Sequence, residues 1–547
     1  MFKLKKQILI LMLLTMPLFL QANSHWNGAK IFVQIDQKLL RQDAQLRKNK
    51  AMLINFYQQR QNRPLWLERQ GIKGKKVMQL LAEIQRDPTL NPQGYIQKKS
   101  KSLKKNLQHR HSQREVIQLE LQLTSLYYEF IQHTVYGEID WQQFETHLEK
   151  LKESHIDTNW VRYPLKFDIL ALMSQENISQ TVRGLLPKGY QYRKLVQAVY
   201  RLYKIKWRGG WKKLPVFKSL KKGNSSPIVQ YLRHRLTLSG DYKHCATKDA
   251  GNLFDGCLDK AVKRFQRRHS LTADGAVGRG TQRMLNLSVE SKINRLLLNI
   301  DRIKWLPRNN NERYIVVNIP EYTLHYYTYG REVAQHKVII GDTKHPTPIF
   351  SNKLSYITLN PYWKLPEGIV RKEVVPAMVK KYNYIQKHGL EAHETWEENS
   401  SIVSLKEINW SDYLTKENPF PYRLMQGPGP KNALGKVKFK FPNKFSVYLH
   451  DTPNKSLFKK RKRAFSHGCV RLSQPLKFLR TLSKSEANMN WYEMKSILAK
   501  KRKKEINFSH KVPINLVYLT TWVNKNNELI FGEDIYQYDK YQQRFIR

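Results

Sequence analysis

Apolar residues change their spacing once along this chain, near residue 314, and that change limits what it can fold into. Beyond it, Val437, Phe439 and Phe441 alternate with Lys436, Lys438 and Lys440. That is the period of two with which a strand buries one face and wets the other. Residues 314–319, 333–340, 353–359, 514–521 and 529–536 read as further strands, and Phe445, Val447 and Leu449 continue the alternation to deliver His450 at a strand end. Helices are expected around 370–382 and 474–482. Before the change, Val77, Leu80, Leu81 and Ile84, and then Val116, Leu119, Leu123 and Leu126, recur at helical spacing. Phe56, Tyr57, Trp66 and Tyr127 read as core of that helical region. The fold class is multidomain α+β, with helices first and a mostly-β unit last.

The chain has 547 residues, too many for one core and enough for three or four domains at about 150 residues each. Lys218 to Pro227 is basic and Gly/Ser-containing, and marks a boundary. In the next stretch Leu258, Val262 and Phe265 fall on one helix face. Gln266 follows, then a turn with Asp274-Gly275 and Val277-Gly278, where glycines suit positive φ, and Thr281 is placed to cap a helix. Residues 1–22 carry Lys3, Lys5 and Lys6, an apolar run and Ala22, the pattern of a secretory signal; an uncleaved anchor is the alternative. Net charge is +52. Export takes such a surface away from nucleic acid, so an anionic cell-wall polymer or membrane surface is the expected partner. The cation runs 459–463 and 500–504 read as solvated loop faces, the first also placed to attract carboxylate-bearing peptides.

Cysteine is scarce, with 3 in the whole chain. Export makes a disulfide between Cys245 and Cys257 possible. That leaves Cys469, in Ser466-His467-Gly468-Cys469-Val470-Arg471, downstream of His450-Asp451-Thr452-Pro453. A thiolate is the reactive form of cysteine, and histidine and nearby cations favour it. Cys469 is the candidate nucleophile, with Gly468 and the Cys469 amide as oxyanion donors. Spacing leaves the base open. His467 lies two residues from Cys469 and shares its face if the segment is extended, whereas His450 arrives from a separate strand and is favoured. Asp451 is expected to orient an imidazole through its backbone carbonyl, and Ser466 to support the loop. Arg471 is placed to lower the thiol pKa or hold a substrate carboxylate; Arg423 and Gln426 are further substrate-contact candidates. No metal-ligand spacing and no phosphate-binding glycine loop occurs, so neither metal nor cofactor is expected.

The Cys469 string resembles the active-site signature of the L,D-transpeptidases, cysteine enzymes that cross-link peptidoglycan. Arg423-Leu-Met-Gln426-Gly-Pro428-Gly429, Asn432 to Gly435, Asn360-Pro361-Tyr362-Trp363 and Asn299 to Pro307 resemble the large Gram-negative multidomain branch of that family, over roughly residues 292–539. The Ala-Val-Lys-Arg-Phe-Gln266 string and the turn after it resemble a small three-helix peptidoglycan-binding domain. The resemblance implies a signal peptide at 1–22, a helical scaffold domain at 23–225, a peptidoglycan-binding domain at 226–288 and a helical linker at 289–312. A catalytic domain at 313–540 follows, with an inserted lid at about 383–421.

It further implies a periplasmic enzyme acting on peptidoglycan stem peptides. It would join two meso-diaminopimelate residues through a cysteine thioester, and carbapenems would acylate it. Two alternatives stay open. Water in place of the amine makes an L,D-carboxypeptidase or a hydrolase of cross-links or lipoprotein links. A non-catalytic wall-binding scaffold would use only the helical and peptidoglycan-binding regions.

Overall fold

The computed structural model describes residues 43–546, apart from 69–70, 108–110, 155, 157, 244–250, 309–311, 381–383 and 487. The leader expected at residues 1–22, and Cys245, lie outside the described residues. Cys257 is disulfide-bonded and Cys469 is free. The chain divides into two compact units. One comprises Met1–Ile139, Pro164–Lys213 and Asn286–Trp305; the other comprises Asp140–Tyr163, Leu214–Leu285 and Leu306–Arg547.

The first unit is helical. Its longest helix, Gln113–Tyr136, opens with a capping box in which Ser112 and Glu115 satisfy each other's backbone N–H groups. It buries Leu119, Leu123, Leu126 and Phe130 in one core with Leu53, Phe56, Leu80 and Ile84. Trp66 and Tyr127 meet edge to face at 5.8 Å inside that core. The helix Val289–Lys304, expected as a linker, instead belongs to this unit and buries Ile293, Leu296, Ile300 and Ile303. Polar bonds fix its end. Asp301 accepts the Glu138 N–H at 2.8 Å, Lys304 donates to the His133 carbonyl at 2.9 Å, and Trp305 Nε1 donates to the Tyr136 carbonyl at 2.8 Å. Gly137 (φ +85) lies against the Asp301 carboxylate, where a Cβ would come within 2.2 Å. Periodicity shows that a helix has an apolar face but not which core receives it.

The second unit holds three parts. Residues 140–163, expected in the helical scaffold, supply Phe144 and Trp160. These rings touch edge to face at 5.5 Å, and Trp160 also packs on Tyr538 at 5.3 Å. The small helical part has helices Ile228–Leu238, Gly256–Arg268 and Arg279–Leu285 around Leu232, Leu258, Val262 and Phe265. Buried Gln266 organises its turn: the amide donates to Asp274 at 2.8 Å and to the Ala276 carbonyl at 2.9 Å, and accepts the Gly275 N–H at 2.9 Å. Gly275 has φ +82. Thr281 is not the expected cap, because it lies inside its helix with its hydroxyl taking the Gln266 amide at 3.2 Å.

The third part is a sheet. Its strands are β1 (Arg313–Asn318), β2 (Thr323–Thr328), β3 (Arg331–Gly341) and β4 (Phe350–Leu359). After β5 (Trp363–Lys364), β6 (Glu391–His393) and β7 (Arg423–Gln426) come β8 (Val437–Lys440), β9 (Leu449–His450), β10 (Ala464–Ser466), β11 (Val470–Leu472) and β12 (Lys504–Val517). The order β10-β3-β11-β9-β8-β4-β12-β1-β2, with β2 also paired to β3, closes the sheet on itself. Strand β2 was not anticipated. Its Thr-Leu-His-Tyr-Tyr-Thr sequence is buried at four consecutive positions rather than alternately.

Residues 363–426 form an insert around β5, β7 and β6, with Leu365, Val374, Val375, Trp410, Phe420 and Leu424 in its own core. The expected lid at 383–421 is the middle of this folded insert. In the 459–463 run Lys459 to Lys462 are exposed, with Lys462 paired to Glu533 at 2.5 Å, whereas Arg463 is buried and donates to the Val338 and Tyr322 carbonyls.

Candidate active site

Strand register assembles the site. β8 and β9 are antiparallel with Lys438 opposite His450, and β9 and β11 are parallel with His450 opposite Arg471. Directly opposed residues share a face, and so do residues two apart on a strand. One face therefore carries Lys438 and Lys440, Tyr448 and His450, and Cys469 and Arg471. All six line a cavity of about 1100 Å³, which is also lined by Tyr362 and by the insert residues Trp363, Glu373 and Tyr384.

Cys469 is partly exposed, and its thiol faces the Ser446 carbonyl at 3.9 Å. Burial is the largest influence and holds the thiol pKa above its ordinary value; Tyr448 and the charges of Lys438 and Arg471 offset only part of it. Gly468 has φ +102, and a Cβ there would meet nothing closer than 3.8 Å. The backbone angle, not crowding, calls for glycine. Ser466 Oγ donates to the Cys469 carbonyl at 2.5 Å, and the Thr347 hydroxyl donates to the Gly468 carbonyl at 2.8 Å. These bonds pin the loop from both sides.

His450 is buried, and its Nδ1 lies 2.6 Å from the Asp451 carbonyl. A carbonyl only accepts, so Nδ1 carries the hydrogen and Nε2 keeps its lone pair. Burial and the neighbouring Arg471 push the imidazole pKa down to about 3, with Lys438 adding to the effect. His450 is thus a neutral imidazole at physiological pH. The Asp451 carboxylate is turned elsewhere: it accepts the Lys436 and Thr452 N–H groups and pairs with Lys455.

His467 also lines the cavity, but its ring is committed to the insert. The φ of Gly468 breaks the extended run, and His467 Nε2 instead pairs with Glu373 of the insert at 2.7 Å, its ring 4.9 Å from that of His345. Glu373 sits in a π-helical turn, Val370–Val374, a local irregularity frequent at functional sites. The contact raises the His467 pKa above its usual 6.5 and lowers that of Glu373 below its usual 4.5; Asp342 raises and Arg471 lowers the former. The sign follows from linkage. The stabilisation needs ionised Glu373 and protonated His467, so it is lost as pH rises through the raised histidine pKa, or falls through the lowered carboxylate pKa. Hydrogen exchange of residues 370–374, corrected for intrinsic rates, is expected to show protection falling as pH climbs past the histidine pKa. In Glu373→Gln that dependence is expected to disappear; persistence would show that the contact does not hold the turn.

Two expected substrate contacts are occupied otherwise. Arg423 lies over the Trp396 ring at 5.6 Å within the insert and does not line the cavity. Gln426 does line it, but its amide bonds the His388 and Lys431 carbonyls and the Ala433 N–H at 2.6, 2.9 and 2.7 Å. Tyr448, Lys438 and Glu373 were missed as site residues. Tyr448 was legible, since burying Val447 and Leu449 turns the residue between them to the other face.

The sequence matches three families: an L,D-transpeptidase catalytic domain over residues 312–490, a scaffold domain over 51–199 and a putative peptidoglycan binding domain over 225–285. Residues 312–490 thus match a YkuD-type L,D-transpeptidase catalytic domain, and residues 225–285 a peptidoglycan-binding domain. A putative L,D-transpeptidase of Haemophilus influenzae is 34% identical over 254 residues, 46% of this chain and 50% of that protein. The chain thus spans about half the length of that curated relative. Among solved structures, an L,D-transpeptidase from Xylanimonas cellulosilytica is 15% identical, covering 55% of this chain and 98% of that one, with a TM-score of 0.16. One from Mycobacterium smegmatis is 12% identical over 38% and 58%, with a TM-score of 0.18. Wall-directed domains point to an extracytoplasmic location, and among the described residues no helix is long and apolar enough to cross a membrane.

Proposed function

We propose that the protein is a peptidoglycan L,D-transpeptidase, with Cys469 as nucleophile and His450 as base. It would join two meso-diaminopimelate residues of neighbouring stem peptides. The observation that carries this reading is the shared sheet face of Cys469 and a neutral, oriented His450 inside one cavity. Sγ bonds the donor carbonyl carbon, the C–N bond to the terminal D-alanine breaks, and the amine leaves with the proton that His450 took from the thiol. The acceptor amine then forms a new C–N bond as the C–S bond breaks, which returns the thiol. The Cys469 and Gly468 amides serve the oxyanion, where one donor is typically worth about 3 kcal/mol of barrier. Arg471, facing His450, favours thiolate over imidazolium.

Intact mass is the direct check. Wild-type protein is expected to gain an acyl group from tetrapeptide muropeptides, and from a carbapenem, and to yield dimers. Cys469→Ala is expected to gain none; acylation of that variant would refute the nucleophile. Tripeptide monomers without dimers would instead assign hydrolysis to the same site.

A further inference from the structure

We propose that Lys438 is the electrostatic partner of the Cys469 thiolate, a positioning residue whose ammonium favours ionisation of the sulfur. The inference rests on Cys469 being the reactive thiol, and it deepens that reading by naming where the compensating positive charge resides.

Lys438 stands opposite His450 in the β8–β9 register, on the cavity face. Its Nζ lies 3.9 Å from the centroid of the Tyr448 ring, which lines the same cavity as the thiol. Among the described residues it makes no ion pair: the nearby acid, Glu505, acts only at longer range, and Lys440 and Lys503 oppose it with like charge. Lys438 is half-buried, and holding a cation there without a carboxylate partner is costly. The tyrosine ring repays part of that cost through its negative face. The remainder falls due when negative charge appears in the cavity, and the sulfur is the group there that can supply it.

The state of His450 makes the assignment specific. In many cysteine sites an imidazolium stabilises the thiolate. Here the imidazole is flanked in register by Lys438 on one side and Arg471 on the other, and it is held neutral. Two functions that one histidine often combines are divided. His450 moves the proton, while the lysine, with Arg471, holds the charge. Lys438 itself is pushed down to about 8 by burial, so its charge is lost as pH rises through that value.

The test is the pH dependence of iodoacetamide alkylation of Cys469 in the full chain, followed by intact mass, for wild type, Lys438→Met and Lys438→Arg. Alkylation reports the thiolate fraction. Lys438→Met is expected to alkylate about tenfold more slowly at pH 7, where the wild-type lysine is charged, while Lys438→Arg stays near wild type. Superimposable profiles for wild type and Lys438→Met would overturn the proposal. So would equal losses in both variants, which would mark a packing role. An unchanged profile with a raised KM for peptide would also overturn it, by making Lys438 a contact for substrate carboxylate. Because alkylation needs no peptide turnover, failure here is distinguishable from failure of the transpeptidase reading, which the Cys469→Ala acylation assay decides.

Discussion

Replacing His450 by alanine is expected to slow acylation of Cys469 by about 10²- to 10⁴-fold, the usual loss on removing a general base. His467→Ala is expected to cost less than about tenfold, within the range of an exposed contact. The asymmetry comes from placement. His450 is buried on the cysteine's face with Nε2 free to accept, whereas His467 is turned by Gly468 toward Glu373.

An imidazole held near pKa 3 is a weak base in the resting site. It strengthens as negative charge builds on the sulfur. Once protonated, it sits between two cations, so it gives its proton readily to the leaving amine. NMR titration of His450 is expected to show no protonation between pH 5 and 8. A midpoint in that window, or a larger loss for His467→Ala than for His450→Ala, would overturn the assignment.

Gly341→Ala is expected to be the most damaging small substitution in the catalytic part. A Cβ there would lie 2.0 Å from the His345 carbonyl oxygen and 2.7 Å from the Thr347 nitrogen, all backbone that cannot rotate aside. Gly341 also donates its N–H to the Thr347 hydroxyl at 2.8 Å, and that hydroxyl donates on to the Gly468 carbonyl; Ser466 pairs with Gly341 across β10 and β3. One added methyl therefore pushes on the loop that carries Cys469. We expect a loss of about 4 kcal/mol and a fall in melting temperature of roughly 10 °C, with acylation falling alongside. Gly368→Ala, where a Cβ meets nothing within 4 Å, is expected to be neutral or slightly stabilising. Similar melting temperatures for the two variants would show that the loop yields.

Much of this was legible in the residues, and the failures share a cause. Alternation around Val437, Phe439 and Phe441 located β8, because one buried and one wet face leave a period of two. The signature around Cys469 drew attention to the nucleophile and both histidines. Which histidine faces the sulfur was not legible, because it turns on the φ of Gly468, and glycine permits angles without announcing them. Arg423 and Gln426 were read from their place in a motif, yet Trp396 and the His388 carbonyl, which occupy them, are 27 and 38 positions away in the chain. The insert showed little period because its core residues are spread across short elements. Lys438 read as one wet position among three lysines; only strand register singles it out.

The first unit is completed by a helix that lies beyond the whole peptidoglycan-binding segment in the chain. A ribosome must therefore release some three hundred residues before that last helix can join its unit, and the small domain is synthesised in between. Cutting the gene at residue 225 to obtain the scaffold alone would discard the piece that Asp301, Lys304 and Trp305 fasten in place. A product of that kind should be handled as an unfinished protein rather than an independent module.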